Sequence, residues 1–142
     1  MNHTVTVMDD DPALLPMLQV RVLVPPDGLE PVVRFYEKLL AQPCNLRFSY
    51  PERRLELAGV GPVLVIAGAE AALAPVRATD ATLLVPCLDA YLERATGLGA
   101  RLVEPPKAVP TGRNARVRHP DGLLVEYVEH VQPSRPEHVQ PS

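Results

Sequence analysis

The stretch Gln19-Val20-Arg21-Val22-Leu23-Val24-Pro25 has a counterpart 61 residues further on, Asp80-Ala81-Thr82-Leu83-Leu84-Val85-Pro86. Both are short runs rich in Val and Leu that stop at proline, the pattern of a bounded β-strand. The same offset lays Gly61-Pro62-Val63-Leu64-Val65 on Gly122-Leu123-Leu124-Val125-Glu126. One spacing thus fits the first and the last strand of two successive segments. The chain reads as two copies of one small unit.

The residues between these anchors fill in each copy. After the strand at 18–24, Pro25, Pro26, Asp27 and Gly28 break the chain. Leu29, Val32, Val33, Tyr36, Leu39 and Leu40 then recur at spacings of three and four, which predicts a helix ended by Pro43. Pro31 suits its first turn, where a missing N–H costs nothing. Residues 45–50 alternate Leu46, Phe48 and Tyr50 with polar neighbours, and Arg53 to Ala58 alternates again. Gly59 and Gly61 mark a turn before a buried strand from Val63 to Ile66. The first unit is β-α-β-β-β. An Ala-rich linker spans 67–79. The second unit then offers a strand at 81–85, a helix from Leu88 to Thr96 closed by Gly97 and Gly99, and a strand from Ala100 to Glu104 ended by Pro105-Pro106. A strand at 113–118, a turn His119-Pro120-Asp121-Gly122 and a last strand from Leu123 to Glu129 complete it. Eight strands and two main helices predict an α+β fold with the helices on one sheet face.

The domain is expected to span 18–129, with units at about 18–66 and 80–129. Residues 1–17 read as an irregular arm in which Asp9, Asp10 and Asp11 are solvated charge. Residues 130–142 read as a flexible tail. There Glu129-His130-Val131-Gln132-Pro133-Ser134 returns as Glu137-His138-Val139-Gln140-Pro141-Ser142. Its two histidines are expected to be mobile rather than metal-bound.

Composition narrows the function classes. A hydrophobic share of 46% excludes a disordered chain, and 142 residues suffice for one core. Aromatics are only 4%, so that core is built from Leu, Val and Ala. Seventeen prolines argue against a helical bundle. A formal charge of −3 without a long basic run argues against nucleic acid as partner. The sequence offers neither a membrane span nor an export signal, so a cytoplasmic location and free thiols at Cys44 and Cys87 are expected.

Three passages resemble the vicinal oxygen chelate superfamily of glyoxalases, bleomycin-resistance proteins and extradiol dioxygenases. They are Val24-Pro25 with the helix Leu29 to Leu40 and its Phe35-Tyr36 pair, the stretch Leu84 to Val103, and the closing hairpin His119 to Glu126. Together they cover most of 18–129. The resemblance implies that the two βαβββ units form a curved eight-stranded mixed sheet whose cleft holds a divalent metal. It implies ligands on the first strand of each unit and the last strand of the second, which here are Gln19, Asp80 and Glu126. The family pattern favours histidine at the first two positions, so Asp80 is an uncommon substitution. The offset partner of Glu126 is Val65, which offers no fourth ligand.

Alternation along the strands places Gln19, Arg21, Leu23, Asp80, Thr82, Leu84, Leu124, Glu126 and Val128 toward one cleft. Polar residues at strand centres need partners or a function, because unpaired burial is costly. In one reading Gln19, Asp80 and Glu126 hold a hard cation such as Mg²⁺ or Mn²⁺, with Ni²⁺ or Zn²⁺ as alternatives, for lyase, isomerase or transferase chemistry. Glu126 could also act as a catalytic base. In the other, Arg21 pairs with Glu126 or Asp80 and the cleft is metal-free. The missing histidines and the neighbouring Arg21 favour the second. His119 is expected to be structural. The group Arg113, Arg116 and Arg118 could receive an anionic ligand, and the face of Asn114, Arg116 and Arg118 is expected to meet solvent or acids.

The expected function is that of a bleomycin-resistance-like binder of a small organic molecule, with ligand contacts from Arg21, Leu23, Asp80, Thr82, Leu84, Leu124 and Glu126. Homodimerisation is expected, since single pairs of units in this superfamily often dimerise. A metal-dependent enzyme and a partner protein with a vestigial cleft are the alternatives.

Overall fold

Prolines and glycines set the ends of most elements. The computed structural model describes residues 6–7 and 15–130. Its first unit comprises β2 (Met17–Val24), α1 (Leu29–Leu40), β3 (Leu46–Tyr50), β4 (Leu55–Val60) and β5 (Val63–Ala67). The second comprises β6 (Ala81–Leu84), α3 (Leu88–Gly97), β7 (Arg101–Val109), β8 (Gly112–Arg118) and β9 (Leu124–His130). A two-residue strand β1 (Thr6–Val7) precedes them, and a short helix α2 (Glu70–Leu73) lies between them. All strands belong to one sheet of order β1-β3-β4-β5-β2-β6-β9-β8-β7. The eight strands of the two units curl into a half-barrel of mixed pairing, the α+β architecture expected from the sequence.

The internal repeat is built into the pairing. Each unit closes by a parallel pair of its first and last strands, β2 with β5 and β6 with β9. The units then join antiparallel through β2 and β6, with Val20 opposite Ala81. These two residues are counterparts in the repeat. An approximate two-fold axis therefore passes beside them, and both units contribute central strands to one sheet within one chain.

The two sheet faces carry different cores. On the outer face, α1 packs Val33 against Val24, Ala58 and Val65, while α3 packs Leu88 and Leu92 against Val117, Val125 and Tyr127. The inner face of the first unit carries Leu46, Phe48, Leu57, Leu64 and Ile66. Ala72 and Leu73 of α2 cover one end of that layer. The segment at 67–79, expected to be only a linker, thus contributes to the core. Its apolar residues Ala72, Leu73 and Val76 fall on one face of a turn of helix.

Three other boundaries differ from expectation. β7 continues through Pro105 and Pro106 to Val109 instead of stopping there. It is an edge strand, so its prolines need not donate to a neighbour on the open side. The ladder absorbs them through register shifts between Leu102 and Lys107. At the other end, Thr6 and Val7 pair with Arg47 and Leu46, so the arm expected to be irregular contains a strand at the sheet edge, and Met17 already belongs to β2. Residues 131–142, which hold most of the expected tail and its repeat, lie outside the described residues.

Among the described residues no helix is long and apolar enough to cross a membrane. The packing beneath α3 yields a direct test. Leu88 is fully buried and Leu98 is 76% exposed. Leu88→Ala is expected to cost about 2–5 kcal/mol in denaturant unfolding, and Leu98→Ala no more than about 0.5 kcal/mol.

Candidate ligand-binding cleft

The concave face of the half-barrel encloses a cavity of about 140 Å³. Both units line it, with most of the apolar side chains from the first and most of the charged ones from the second. The first unit supplies an apolar wall of Leu46, Phe48, Leu57, Leu64 and Ile66. The second supplies Thr82, Glu104, Lys107, Asn114, Arg116 and Glu126. Residues of both units of one chain line the cleft.

The floor of the cleft is a polar chain that crosses the junction between units. Thr82 is paired with Gln19 on one side and with Glu126 on the other, so three adjacent central strands present polar side chains in one row. From β2, Arg21 reaches across β6 to β9. Its Nε donates to Thr82 Oγ1 at 2.9 Å, and its Nη2 donates to Glu126 Oε1 at 2.5 Å. Arg21 and Thr82 are counterparts in the repeat, so this hydrogen bond also spans the approximate two-fold. The second oxygen of Glu126 accepts from Asn114 Nδ2 at 2.7 Å. Arg21 is largely removed from solvent, its side chain 8% exposed. Burial pulls its guanidinium below its ordinary pKa, and the charge and hydrogen bond of Glu126 oppose that pull.

Two acceptors on this floor lack partners. Gln19 Oε1 and Asn114 Oδ1 are buried and make no hydrogen bond among the described residues. Their orientation is fixed by what their amide nitrogens must do. Gln19 Nε2 donates to the Gly61 carbonyl at 2.9 Å, and Asn114 Nδ2 donates to a carboxylate, so neither amide can be turned around. Arg21 Nη1 likewise makes no hydrogen bond among the described residues.

Arg116 and Glu104 form a second polar group, beside the floor. Arg116 Nε donates to Glu104 Oε1 at 3.1 Å, and its Nη1 donates to Thr79 Oγ1 at 3.1 Å. Lys107 Nζ stands 3.7 Å from the same Glu104 oxygen. The hydrogen bond from Arg116, aided by the charges of Lys107, Arg116 and Arg53, holds the Glu104 carboxyl below the usual carboxylate range.

Several expected site residues fall elsewhere. Gln19, Arg21, Thr82, Leu84, Glu126 and Val128 line the cavity, but Asp80, Leu23 and Leu124 do not. Asp80 is exposed and lies just before β6 begins. Its backbone N–H donates to the Leu124 carbonyl at 2.8 Å, and its Oδ2 accepts the Leu124 N–H at 2.9 Å. The strand alternation that would turn Asp80 inward starts one residue too late to constrain it. Leu23 packs against the apolar inner-face cluster without lining the cavity itself. Leu124 is buried at the start of β9. His119 is on the outer face, its Nε2 2.7 Å from Tyr127 Oη, in a structural setting. Asn114 and Arg116 do meet acids, Glu126 and Glu104, as their strand face allows, and they do so inside the cleft. The turn at His119–Gly122 could have placed them, because it puts Asn114 opposite Val128 and Arg116 opposite Glu126.

The residues present do not fit a divalent metal. Asp80 is outside the cleft, and both oxygens of Glu126 are already engaged by N–H donors. A divalent ion 4 Å from the Arg21 guanidinium would meet repulsion on the order of 8 kcal/mol at an effective dielectric constant of about 20.

Comparison with solved structures places this geometry in a family. An uncharacterized protein from Methanosarcina mazei is 43% identical, with a TM-score of 0.73 over 84% of this chain and 95% of that one. Methylmalonyl-CoA epimerase from Mycobacterium tuberculosis shares the half-barrel at 19% identity and a TM-score of 0.59, over 82% of this chain and 89% of that one. The chain belongs to the same family as the Methanosarcina mazei protein and shares the half-barrel fold of the epimerase. A Streptomyces coelicolor methylmalonyl-CoA epimerase variant in complex with 2-nitronate-propionyl-CoA is a more distant likeness, at 16% identity and a TM-score of 0.52, over 82% of this chain and 99% of that one. No family model and no curated protein matches the chain.

The floor of the cleft predicts a specific coupling. Arg21→Met leaves a half-buried carboxylate without its cation and is expected to cost on the order of 3 kcal/mol. In the double variant Arg21→Met/Glu126→Leu much of that loss should return, as measured by denaturant unfolding in a double-mutant cycle. Purely additive losses would mean that the pair is not coupled.

Proposed function

We propose that this protein binds a small amphipathic organic molecule in the cleft of its half-barrel, without a metal. The observation that carries this reading is the concave cavity with apolar and polar lining residues side by side. Such a concavity, with few convergent polar groups, is the usual form of a small-molecule site. Its volume is close to the ~150 Å³ of an apolar cavity known to admit benzene, so it can take a compact apolar body. Phe48 and Tyr50 both line it, which gives a planar ligand two rings to pack on despite the low aromatic content. The unpartnered Gln19 Oε1, Asn114 Oδ1 and Arg21 Nη1 leave hydrogen-bonding capacity for its polar atoms.

The metal-free part of the reading is supported by the engagement of Glu126 and the displacement of Asp80. A metal-dependent lyase, isomerase or transferase using Gln19, Asp80 and Glu126 would require both features to change. The same engagement argues against Glu126 as a free base. Exposed Leu18 and Val20 on the outer face of β2, with Phe35 and Leu39 of α1, support the homodimeric part of the reading.

The test is thermal stabilisation across a panel of small natural products. A ligand present at a hundredfold excess over its Kd is expected to stabilise the protein by about 2.7 kcal/mol. The effect should disappear in Leu64→Trp, which fills the cavity from its apolar wall, provided circular dichroism confirms the variant is folded. If no compound stabilises the protein, the binding reading fails and a partner protein with a vestigial cleft is left.

A further inference from the structure

We infer that the ligand is an anion: an apolar body seated on the first unit's wall, with a carboxylate or similar oxyanion held by Arg53, Lys107 and Arg116. This inference rests on the binding reading above and narrows it to one charge class.

The charges lining the cavity are unbalanced. Arg21, Arg53, Lys107 and Arg116 face Glu104 and Glu126, with His130 counted as neutral. Arg21 and Glu126 match one to one on the floor. Three cations are then left with a single carboxylate, Glu104. This surplus of positive charge lies in the cleft of a chain whose overall formal charge is −3. A concave, low-dielectric site focuses such a local excess toward an incoming ligand.

The three cations also have donors to spare. Arg116 uses Nε and Nη1, and its Nη2 makes no hydrogen bond among the described residues. Lys107 stands 3.7 Å from Glu104, which is too far for a good hydrogen bond. The Arg53 guanidinium lies over the Tyr50 ring, 5.6 Å from its centroid, and that stacking keeps it beside the cavity. Glu104 already shows that this position accepts a carboxylate. The side chains of Glu104 and Lys107 are 39% and 37% exposed, so the anion would sit where the cavity opens, with its apolar body inward. Salt would therefore weaken its hold.

The test uses three probes with one apolar body, 4-phenylbutyrate, 4-phenylbutanol and 4-phenylbutylamine, titrated calorimetrically at 50 and 500 mM NaCl. The carboxylate is expected to bind at least about tenfold more tightly than the alcohol, and the amine most weakly. That preference should shrink at high salt and be lost in Lys107→Gln/Arg116→Gln. Glu104→Gln, which removes the competing carboxylate, should bind 4-phenylbutyrate several-fold more tightly. A gain cannot come from a misfolded variant. Alcohol or amine binding as tightly as the carboxylate would overturn the anion inference and leave the binding reading intact. No binding by any of the three would overturn both.

Discussion

A guanidinium from the first unit, placed on a carboxylate of the second, is the constraint around which this molecule is arranged. Arg21 crosses a whole strand to reach Glu126, bonding Thr82 on the way. Taking these two charges out of water is costly, and only their mutual contact with added hydrogen bonds offsets that cost. Asn114 supplies one such bond and Thr82 another. The four side chains come from β2, β6, β8 and β9, so the network also sets the relative position of the two units. It fills the centre of a cleft that would otherwise present a bare carboxylate.

Duplication explains the frame, and divergence between the copies explains the site. The strands of the two units pair about an approximate two-fold, yet the first unit's inner face is the more apolar and the second's the more charged. Leu57, Leu64 and Ile66 on one side face Asn114, Arg116 and Glu126 on the other. A symmetric pair of walls would offer a cleft of one polarity. This one offers a gradient across a few ångströms, and that gradient suits a ligand with two unlike ends. The 43% identity to the Methanosarcina mazei protein extends across nearly the whole of that chain, so the two share the frame, while the more distant epimerases share the fold.

Much of the frame was legible in the sequence because it rests on periodicity. Alternation at 45–50, helical spacing from Leu29 to Leu40, and glycines and prolines at the ends all report local geometry. What was not legible depends on neighbours. Pro105 and Pro106 read as a strand end, but β7 is an edge strand and tolerates them. Asp80 was placed in the cleft by extending strand alternation one residue beyond the strand. Its carboxylate instead takes the Leu124 N–H. A strand bearing Arg113, Arg116 and Arg118 reads as a face toward solvent or acids; Asn114 and Arg116 do meet acids, Glu126 and Glu104, but inside the cleft. Only the hairpin register brings two of its residues opposite Val128 and Glu126. The sequence allows Arg21 to pair with Glu126 or Asp80, and because Asp80 lies before β6 and outside the cleft, Glu126 is the partner.

The claim on which the account depends is that Arg21 occupies the electrostatic position a metal would need, so the cleft works without one. Calorimetric titration of the metal-depleted protein with Mn²⁺, Ni²⁺ and Zn²⁺ tests it most directly. The account predicts no stoichiometric binding for any of the three ions. One ion bound per chain, with binding abolished by Glu126→Ala, would contradict it.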